Sequence, residues 1–405
     1  MIPKGWGNHK FDDVTNAITC GWAATPKYVE QDVGYPFLSA QNVQNGKVDL
    51  SKYKYVTQEL HEKLRKNNPP KKGDLLYSRV GAGFGNAAIV DVEFDFSIYV
   101  SLTLIKVKSE ILNNNYCLQL LNSPICKNQA KNGIFAGGGV PNLNISVIKN
   151  FTFNLPPIPE QLKIAKVLST WDAAIEKLEK LIEAKKLRKK GLMQQLLTGK
   201  KRFDGFDENW KEYNLSKIAK ITAGGTPSTK RPEYWGGEIP WMNSGDINRK
   251  FVKGVDGRIT EEGMNKSSTK IIPKHSVLMA LAGQGKTRGT VAINEIDLCT
   301  NQSLAAVILK EDFYYRFIYY YLDSQYEQIR RLSTGDGGRG GLNLKIISSI
   351  KISIPHIDEQ MRIGDFFFDI DVELQQLEKK KSLINLQKKG LMQQLLTGKK
   401  RVKVD

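Results

Sequence analysis

The sequence predicts an α+β fold: two mixed α/β domains in tandem, separated and joined by two long helices that form an antiparallel coiled coil with pseudo-twofold symmetry. Three observations predict it. The segment KKGLMQQLLTGKKR occurs at residues 189–202 and again at 388–401, an offset of 199 positions. Apolar residues upstream of each copy recur at spacings of four and three, as on one buried helix face. Elsewhere, short strand-like runs do not alternate regularly with helices, which argues against a doubly wound sheet.

The repeat extends upstream without a gap. At the same offset, matched pairs include Leu187 with Leu386, Ile175 with Leu374, Glu160 with Glu359, and Leu143 with Leu342. Outside the helical stretch the two halves diverge. The chain therefore consists of two half-molecules that share a framework and differ in their surfaces. This arrangement suits a molecule that recognises two different targets.

Each predicted helix runs for roughly 39 residues, about 58 Å, to a Thr-Gly pair. The predicted seam residues are Leu168, Trp171, Ile175, Leu178 and Ile182 in the first copy, and Phe367, Ile370, Leu374, Leu377 and Ile384 in the second. Lys381 interrupts the second seam. An amphipathic helix of this length needs a partner, and the other copy is the nearest candidate.

The predicted boundaries follow from these helices. The two mixed domains span residues 1–156 and 203–355, the helical regions span 157–202 and 356–401, and 402–405 form a tail. The clearest predicted strands are 74–78, 87–92, 99–107, 277–280, 290–294 and 304–309, and residues 312–332 are predicted to be helical.

The charge indicates a polyanionic partner. The 405 residues include 60 Lys and Arg against 42 Asp and Glu, a formal net charge of +18. Up to Arg202 there are 29 basic and 17 acidic residues, and after it 31 and 25, so both halves are basic. A generally cationic protein without such a partner remains the alternative.

The four cysteines form no CxxC pair and have no histidine at metal-ligand spacing, so neither a zinc site nor a disulfide framework is predicted. No apolar signal core and no stretch of 18 apolar residues is present. We therefore expect a cytoplasmic protein that does not enter a membrane.

Motifs of catalytic type are weak. The GKT within ALAGQGKTRG, residues 280–289, lacks the first glycine of a phosphate-binding loop, because Ala280 stands there. NNPPK, residues 67–71, has Lys71 where an amino-methyltransferase motif has an aromatic residue. The four histidines are scattered. We predict no catalytic residue and no metal site in this chain.

The remaining candidates form a DNA-reading surface, because Arg can pair with guanine edges, Asn or Gln with adenine edges, and Lys with phosphate. In the first half they are Tyr77, Ser78, Arg79 and Asn86. In the second half they are Lys230, Arg231, Tyr234, Trp235, Trp241, Asn243, Gln284, Lys286, Thr287, Arg288, Asn301 and Gln302.

Several segments together resemble a known family. They are the similar helix starts at Pro156–Gln161 and Pro355–Gln360, the doubled KKGLMQQLLTGK ending, the GGTPS…YW…IPW segment of residues 224–241, and the Leu-Asn pairs at 143–144 and 342–343. They closely resemble the DNA-specificity subunit of type I restriction-modification systems. The resemblance covers essentially the whole chain.

The resemblance implies two target-recognition domains that each read one half of a bipartite double-stranded DNA target. It also implies helices that bind two modification (methyltransferase) subunits, in a complex that includes restriction (translocase and nuclease) subunits. S-adenosylmethionine, ATP and Mg are then expected in those partners and not in this chain. The implied docking residues are Pro159, Glu160, Gln161, Glu359 and Gln360, with Asp358 standing opposite Pro159.

Other readings stay open. One is a specificity subunit that serves a methylation-only or other restriction architecture. A coiled-coil structural tether would not need two basic, divergent domains. An enzyme with an unrecognised site would show methylation or nucleotide hydrolysis by the isolated chain.

Overall fold

The computed structural model of the chain describes residues 2–66, 68–81, 83–134, 142–283, 287–332 and 341–404. The chain divides into two compact units. The first combines Met1–Glu179 with Lys379–Asp405, and the second is Lys180–Glu378. Each unit therefore contains one mixed domain and half of each long helix, so the units cut through the helical regions instead of ending at them.

The elements of the first unit follow the order typical of a mixed fold. They are β1 (Gly7–Lys10), β2 (Thr15–Cys20), β3 (Tyr28–Val29), β4 (Tyr35–Leu38), β5 (Val43–Gln44), β6 (Gly46–Val48), β7 (Lys54–Val56), α1 (Gln58–Arg65), β8 (Leu75–Ser78), β9 (Ala87–Ile89), β10 (Ser97–Ile98), β11 (Leu102–Val107), α2 (Asn114–Leu121), α3 (Pro124–Asn132), α4 (Ile145–Lys149), β12 (Thr152–Leu155) and the start of α5 (Ile158–Leu196).

The described residues of this unit form three sheets: a six-stranded sheet in the order β2-β11-β8-β9-β6-β5, a four-stranded sheet in the order β10-β4-β7-β3, and the pair β1-β12. Strand β8 is buried on both faces. Its residues Leu75 and Tyr77 enter one core cluster and Leu76 enters another, because successive side chains of a strand point to opposite faces.

The second unit repeats this plan. Its elements are β13 (Lys211–Asn214), α6 (Leu215–Ile218), β14 (Ala219–Ala223), β15 (Trp235–Met242), β16 (Phe251–Val252), β17 (Arg258–Ile259), α7 (Glu261–Asn265), β18 (Ile271–Ile272), β19 (Val277–Ala280), β20 (Val291–Asn294), β21 (Leu298–Thr300), β22 (Leu304–Leu309), α8 (Tyr315–Ser324), α9 (Tyr326–Arg331), α10 (Leu344–Ser348), β23 (Lys351–Ile354) and the start of α11 (Ile357–Leu395).

Its sheets run β14-β22-β19-β20-β16, β17-β15-β21-β18 and β13-β23. Strand β19 takes the place of β8, with Val277 and Met279 in one core cluster and Leu278 and Ala280 in another. The strands predicted at 277–280 and 304–309 are confirmed without change. The one predicted at 99–107 begins only at Leu102, and the predicted helix at 312–332 is divided at Gln325 between α8 and α9.

The two long helices have the predicted length, because α5 and α11 contain 39 residues each. Helix α5 begins at Ile158, the residue before Pro159, and α11 begins at the matching Ile357, the residue before Asp358. Among the described residues, no helix combines the length and the apolar character needed to span a bilayer.

Candidate nucleic-acid interface

Three loops of the second unit meet at one sheet edge. Strands β15 and β21 pair in parallel, with Met242 opposite Thr300. The Asn301 N–H donates to the Met242 carbonyl at 3.0 Å, and the Gly225 N–H donates to the Thr300 carbonyl at 2.8 Å. The predicted residues Trp241, Asn243, Asn301 and Gln302 are therefore brought together, although they are up to 61 positions apart in the chain.

Close backbone approach explains the glycines of this edge. A Cβ added to Gly224 would lie 2.0 Å from the Thr300 carbonyl oxygen, well inside van der Waals contact. The Trp241 indole Nε1 donates to the Gly225 carbonyl at 3.0 Å, and the Thr226 hydroxyl donates to Gln302 Oε1 at 2.5 Å. The loop of residues 224–226 is thus held by its neighbours in a defined position.

Two amides remain presented at the surface. The Asn243 side chain is exposed, and its Oδ1 accepts the Gly245 N–H at 2.7 Å. Gln302 is also exposed and uses its Oε1 to accept from Thr226. Since an amide oxygen has two lone pairs, each side chain keeps donor and acceptor capacity for a base edge.

The turn that joins β19 to β20 lies next to this edge. The Leu281 N–H donates to the Ser303 carbonyl at 2.9 Å, and the Gly289 N–H donates to the Ala280 carbonyl at 2.9 Å. Thr287 and Arg288 are half-buried in this turn. The predicted Gln284 and Lys286 lie outside the described residues.

The aromatic segment before β15 is mostly engaged within its own unit. Trp235 packs edge-on against Trp241 at 5.0 Å between ring centroids, and its Nε1 donates to the Ser228 carbonyl at 3.3 Å. Arg231 forms an exposed ion pair with Glu233 at 3.3 Å. Tyr234 is half-buried, whereas Lys230 is exposed.

In the first unit, the prediction is wrong for Tyr77 and Ser78. Both side chains are 0% exposed, because β8 is covered on both faces. Burial also raises the pKa of Tyr77 far above its usual value. These two residues belong to the core.

Arg79 has a positioning role. Its guanidinium donates to the Leu143 carbonyl at 2.8 Å, the Val100 carbonyl at 3.3 Å and Asn142 Oδ1 at 3.1 Å. These contacts fasten the turn after β8 and use three of the five guanidinium N–H donors within the unit. Asn86 accepts a hydrogen bond from Lys127 at 3.2 Å.

The sequence reasoning missed the corresponding edge of the first unit. The Tyr99 N–H donates to the Leu38 carbonyl at 2.8 Å, as Asn301 does to Met242, and the Trp22 N–H donates to the Ile98 carbonyl at 2.9 Å. A Cβ on Gly21 would lie 2.2 Å from the Ile98 carbonyl oxygen. The signal was the glycine of Gly21-Trp22 at the end of a strand, in the place of Gly224 in the second unit.

At the start of each long helix, a buried glutamate accepts hydrogen bonds from an arginine and from a tryptophan, and we call each such group a clamp. In the first unit, Glu160 accepts from both Arg401 Nε and Nη2 at 2.6 Å and from the Trp6 indole at 3.2 Å. In the second unit, Glu359 accepts from Arg202 at 2.9 and 2.6 Å and from the Trp210 indole at 3.2 Å. The shared hydrogen bonds with the glutamates raise the pKa of both arginines.

The side chains of the neighbouring glutamines are also hydrogen-bonded within their own units. Gln161 accepts from the Asn113 N–H and donates to the Ile111 carbonyl, both at 2.8 Å. Gln360 accepts from the Tyr314 N–H at 2.9 Å and donates to the Pro355 carbonyl at 3.0 Å. Of the five residues expected to dock a partner, only Pro159 is exposed; the other four are buried and fasten each helix to its own domain.

A second pair of contacts lies three helical turns further on. Asp172 of α5 forms an ion pair with Lys388 of α11, and Asp371 of α11 forms one with Lys189 of α5 at 2.6 Å. Within each unit, this ion pair therefore joins the first half of one long helix to the second half of the other. The predicted seam residues Leu168, Leu178, Ile182, Phe367 and Leu374 are buried, and the remaining five are half-buried.

Among the described residues, no three His, Cys, Asp or Glu side chains are grouped as a metal site requires.

The profile of the type I restriction modification DNA specificity domain matches residues 3–186 and again residues 207–386. The chain belongs to this family. Its two matches correspond to the two halves that the internal repeat defines.

Relatives and solved structures agree with this family. A putative type I restriction enzyme MjaX specificity subunit of Methanocaldococcus jannaschii is 27% identical over 99% of this chain and 95% of its own length. The EcoR124I/EcoR124II specificity subunit of Escherichia coli is 30% identical over 52% of each chain. The crystal structure of a type I restriction-modification S subunit from M. genitalium shares the fold, with a TM-score of 0.62 and 18% identity over 96% of both chains.

Proposed function

We propose that this chain is the DNA-specificity subunit of a type I restriction-modification enzyme and that each unit reads one half of a bipartite double-stranded target. One observation carries the proposal. The two units build the same sheet edge, with a glycine pressed against the backbone at Gly21 and Gly224, yet present different side chains there. A shared frame with different exposed groups suits the reading of two different half-sites.

We further propose that α5 and α11 form the antiparallel coiled coil with pseudo-twofold symmetry that the repeat suggests. The Asp172–Lys388 and Asp371–Lys189 ion pairs support this, since each joins the early part of one helix to the late part of the other. Such a pair of helices would set the length of the nonspecific spacer between the half-sites.

The helices would also dock two modification subunits. Apolar side chains are exposed at matching positions of the repeat: Leu162 is 50% and Met361 44% exposed, and Leu187 is 72% and Leu386 66% exposed. Exposed apolar residues that recur at the 199-residue offset, Leu162 with Met361 and Leu187 with Leu386, suit two copies of one partner. This surface, together with Pro159, replaces the buried glutamates and glutamines as the candidate contact.

The chemistry then belongs to the partners. S-adenosylmethionine would bind in the modification subunits, and ATP and Mg in the restriction subunits, in the cytoplasm. A methylation-only or other restriction architecture remains the second candidate, because this chain would have the same role there; genes beside it that encode a restriction subunit would distinguish the two.

The test is an exchange of recognition modules. Residues 1–156 are replaced by the first domain of another family member, and methylated adenines are mapped in cells that also contain the modification subunits. We expect one half of the methylated site to change and the other half to stay. A change of both halves, or methylation that does not depend on this chain, would contradict the proposal.

A further inference from the structure

A cleft in the first unit lies beside the sheet edge that carries Trp22. It has a volume of about 360 Å³ and lies between the end of β2, the last turn of α1 and residues 68–70. Its cations are Lys63 and Arg65, its polar groups include Asn68 and Thr19, and no carboxylate of the described residues lines it. The rest of the lining is mostly apolar, so the capacity of the cleft to bind an anion depends on these two cations.

Trp22 connects this cleft with the candidate interface. Its backbone bonds to Ile98 and Val100 place it on the same edge as Tyr99. The Lys63 ammonium lies 5.1 Å from the centroid of the half-buried Trp22 ring, a cation–π contact that holds the lysine at the rim. An indole beside an ammonium can pack against a sugar while the charge meets a phosphate.

The surrounding sequence adds positive charge. Residues 63–72 contain five Lys or Arg and no Asp or Glu. Two of the five are neutralised, since Arg65 pairs with Asp95 and Lys72 with Glu93. Lys63 and Lys66 are both exposed and form no ion pair among the described residues.

The corresponding helix of the second unit, α7, has the acids Glu261 and Glu262 in its first turn, as α1 has Glu59. The exposed Lys266 and Lys270 follow α7, so cations follow this helix in both units.

We propose that the cleft beside Trp22 and the adjoining end of α1 bind the sugar–phosphate backbone of the DNA next to the first half-site, with Lys63 and Lys66 contacting phosphates and Trp22 packing against a sugar. This inference rests on the proposed function. It adds a contact with the DNA backbone to the contacts that the sheet edge of the first unit makes.

The test uses the full chain and a fluorescently labelled duplex, with affinity measured by anisotropy over a range of salt concentrations. In the double variant Lys63→Ala with Lys66→Ala, the negative slope of log affinity against log salt should become shallower by about 2, since each lost phosphate contact removes about 0.9 from its magnitude. The control removes the same charge from exposed positions of α5 in the same unit, by Lys163→Ala with Lys166→Ala, and should change the slope little.

Trp22→Phe provides a second measurement. The wild-type indole fluorescence should change when DNA binds, and Trp22→Phe should lose that part of the change while keeping the circular dichroism of the folded chain. Equal slopes in the two lysine variants would overturn the inference. So would normal DNA binding by the Lys63 and Lys66 variant combined with weaker assembly with modification subunits, because the cleft would then hold an acidic protein segment. A wild-type chain that binds no DNA at low salt would instead reject the proposed function itself.

Discussion

Four residues of the 14-residue repeat make equivalent contacts in the two units. Lys189, Leu196, Leu197 and Arg202 occupy in the second unit the roles that Lys388, Leu395, Leu396 and Arg401 have in the first. The glutamate at each clamp is almost fully removed from solvent. A buried carboxylate of this kind is tolerated only with a charged partner and full hydrogen bonding.

Glu359→Gln should therefore lower the free energy of unfolding by about 3 kcal/mol, because it leaves the Arg202 fork with a neutral partner in a buried place. Denaturant unfolding measures the change, and hydrogen exchange should increase around residues 202–210. The matched control is Glu373→Gln, whose partner Lys185 and whose own carboxylate are partly exposed, so it should cost no more than about 1 kcal/mol. Equal losses in both variants would contradict the role of the clamp.

His61 gives the first unit a dependence on pH. The ring is 2% exposed, stacks on Tyr35 at 4.3 Å and shares a hydrogen bond with Ser97 at 2.9 Å. Burial, and after it the charge of Arg65, lowers the pKa of His61 below its ordinary value of 6.5. The unfolded chain then binds this proton more readily than the folded chain.

Stability from this group is present above pH 6.5 and should be lost as the pH falls below it, by up to about 1.4 kcal/mol per pH unit. His61→Phe keeps the stacked ring but cannot bind a proton. Comparison of chemical unfolding at pH 7.5 and 5.5 should show a smaller loss of stability in this variant than in the wild type. The same loss in both would exclude His61 as the cause.

At the scale of elements, the two sheet edges show how one frame carries two surfaces. Strands β8 and β19 are buried on both faces and contribute to two core clusters each. The parallel pairs β4–β10 and β15–β21 bring a loop to the same place in each unit. The geometry depends on a glycine whose added Cβ would strike a carbonyl. The exposed side chains around it can differ without changing that geometry.

Gly224→Ala should consequently displace the loop of residues 224–226 and weaken DNA binding at least about tenfold, which corresponds to about 1.4 kcal/mol. Gly254→Ala is the matched control, because an added Cβ there meets nothing within 4 Å. Both variants should keep their circular dichroism spectra. If Gly224→Ala bound DNA as tightly as the control, this edge would not be the reading surface of the second unit.

At the scale of the whole molecule, the chain is a repeat whose units exchange helix segments. The first unit contains the beginning of α5 and the end of α11, and the second contains the end of α5 and the beginning of α11. Both helices pass from one unit to the other at Glu179 and Glu378. Those positions are the natural place to change the length of the helices while keeping every contact inside a unit.

Four residues inserted after Glu179 and four after Glu378 add about 6 Å to each helix, a little over one turn. We expect the methylated target to gain a spacer longer by about two base pairs, at 3.4 Å per base pair, with both half-sites unchanged. A map of methylated adenines measures this. An active variant with the original spacer would show that the helices do not measure the distance.

The sequence was sufficient for the features that depend on local pattern and on repetition. The 199-residue offset revealed two units, the four-three spacing gave the length of both helices, and the buried strands at 277–280 and 304–309 followed from short apolar runs. These features can be recognised in the sequence because hydrophobic periodicity indicates which face of a helix or strand is buried.

The interface depended on the folded chain. Tyr77 and Ser78 have residue types that suit a DNA contact, yet a strand covered on both faces hides them, and Arg79 spends its guanidinium on three oxygens of its own unit. Trp22 and Lys63 gave no motif, since 41 positions separate them and only the packing of α1 against the end of β2 joins them. Which polar groups face solvent is set by contacts between distant segments, and residue types do not record those contacts.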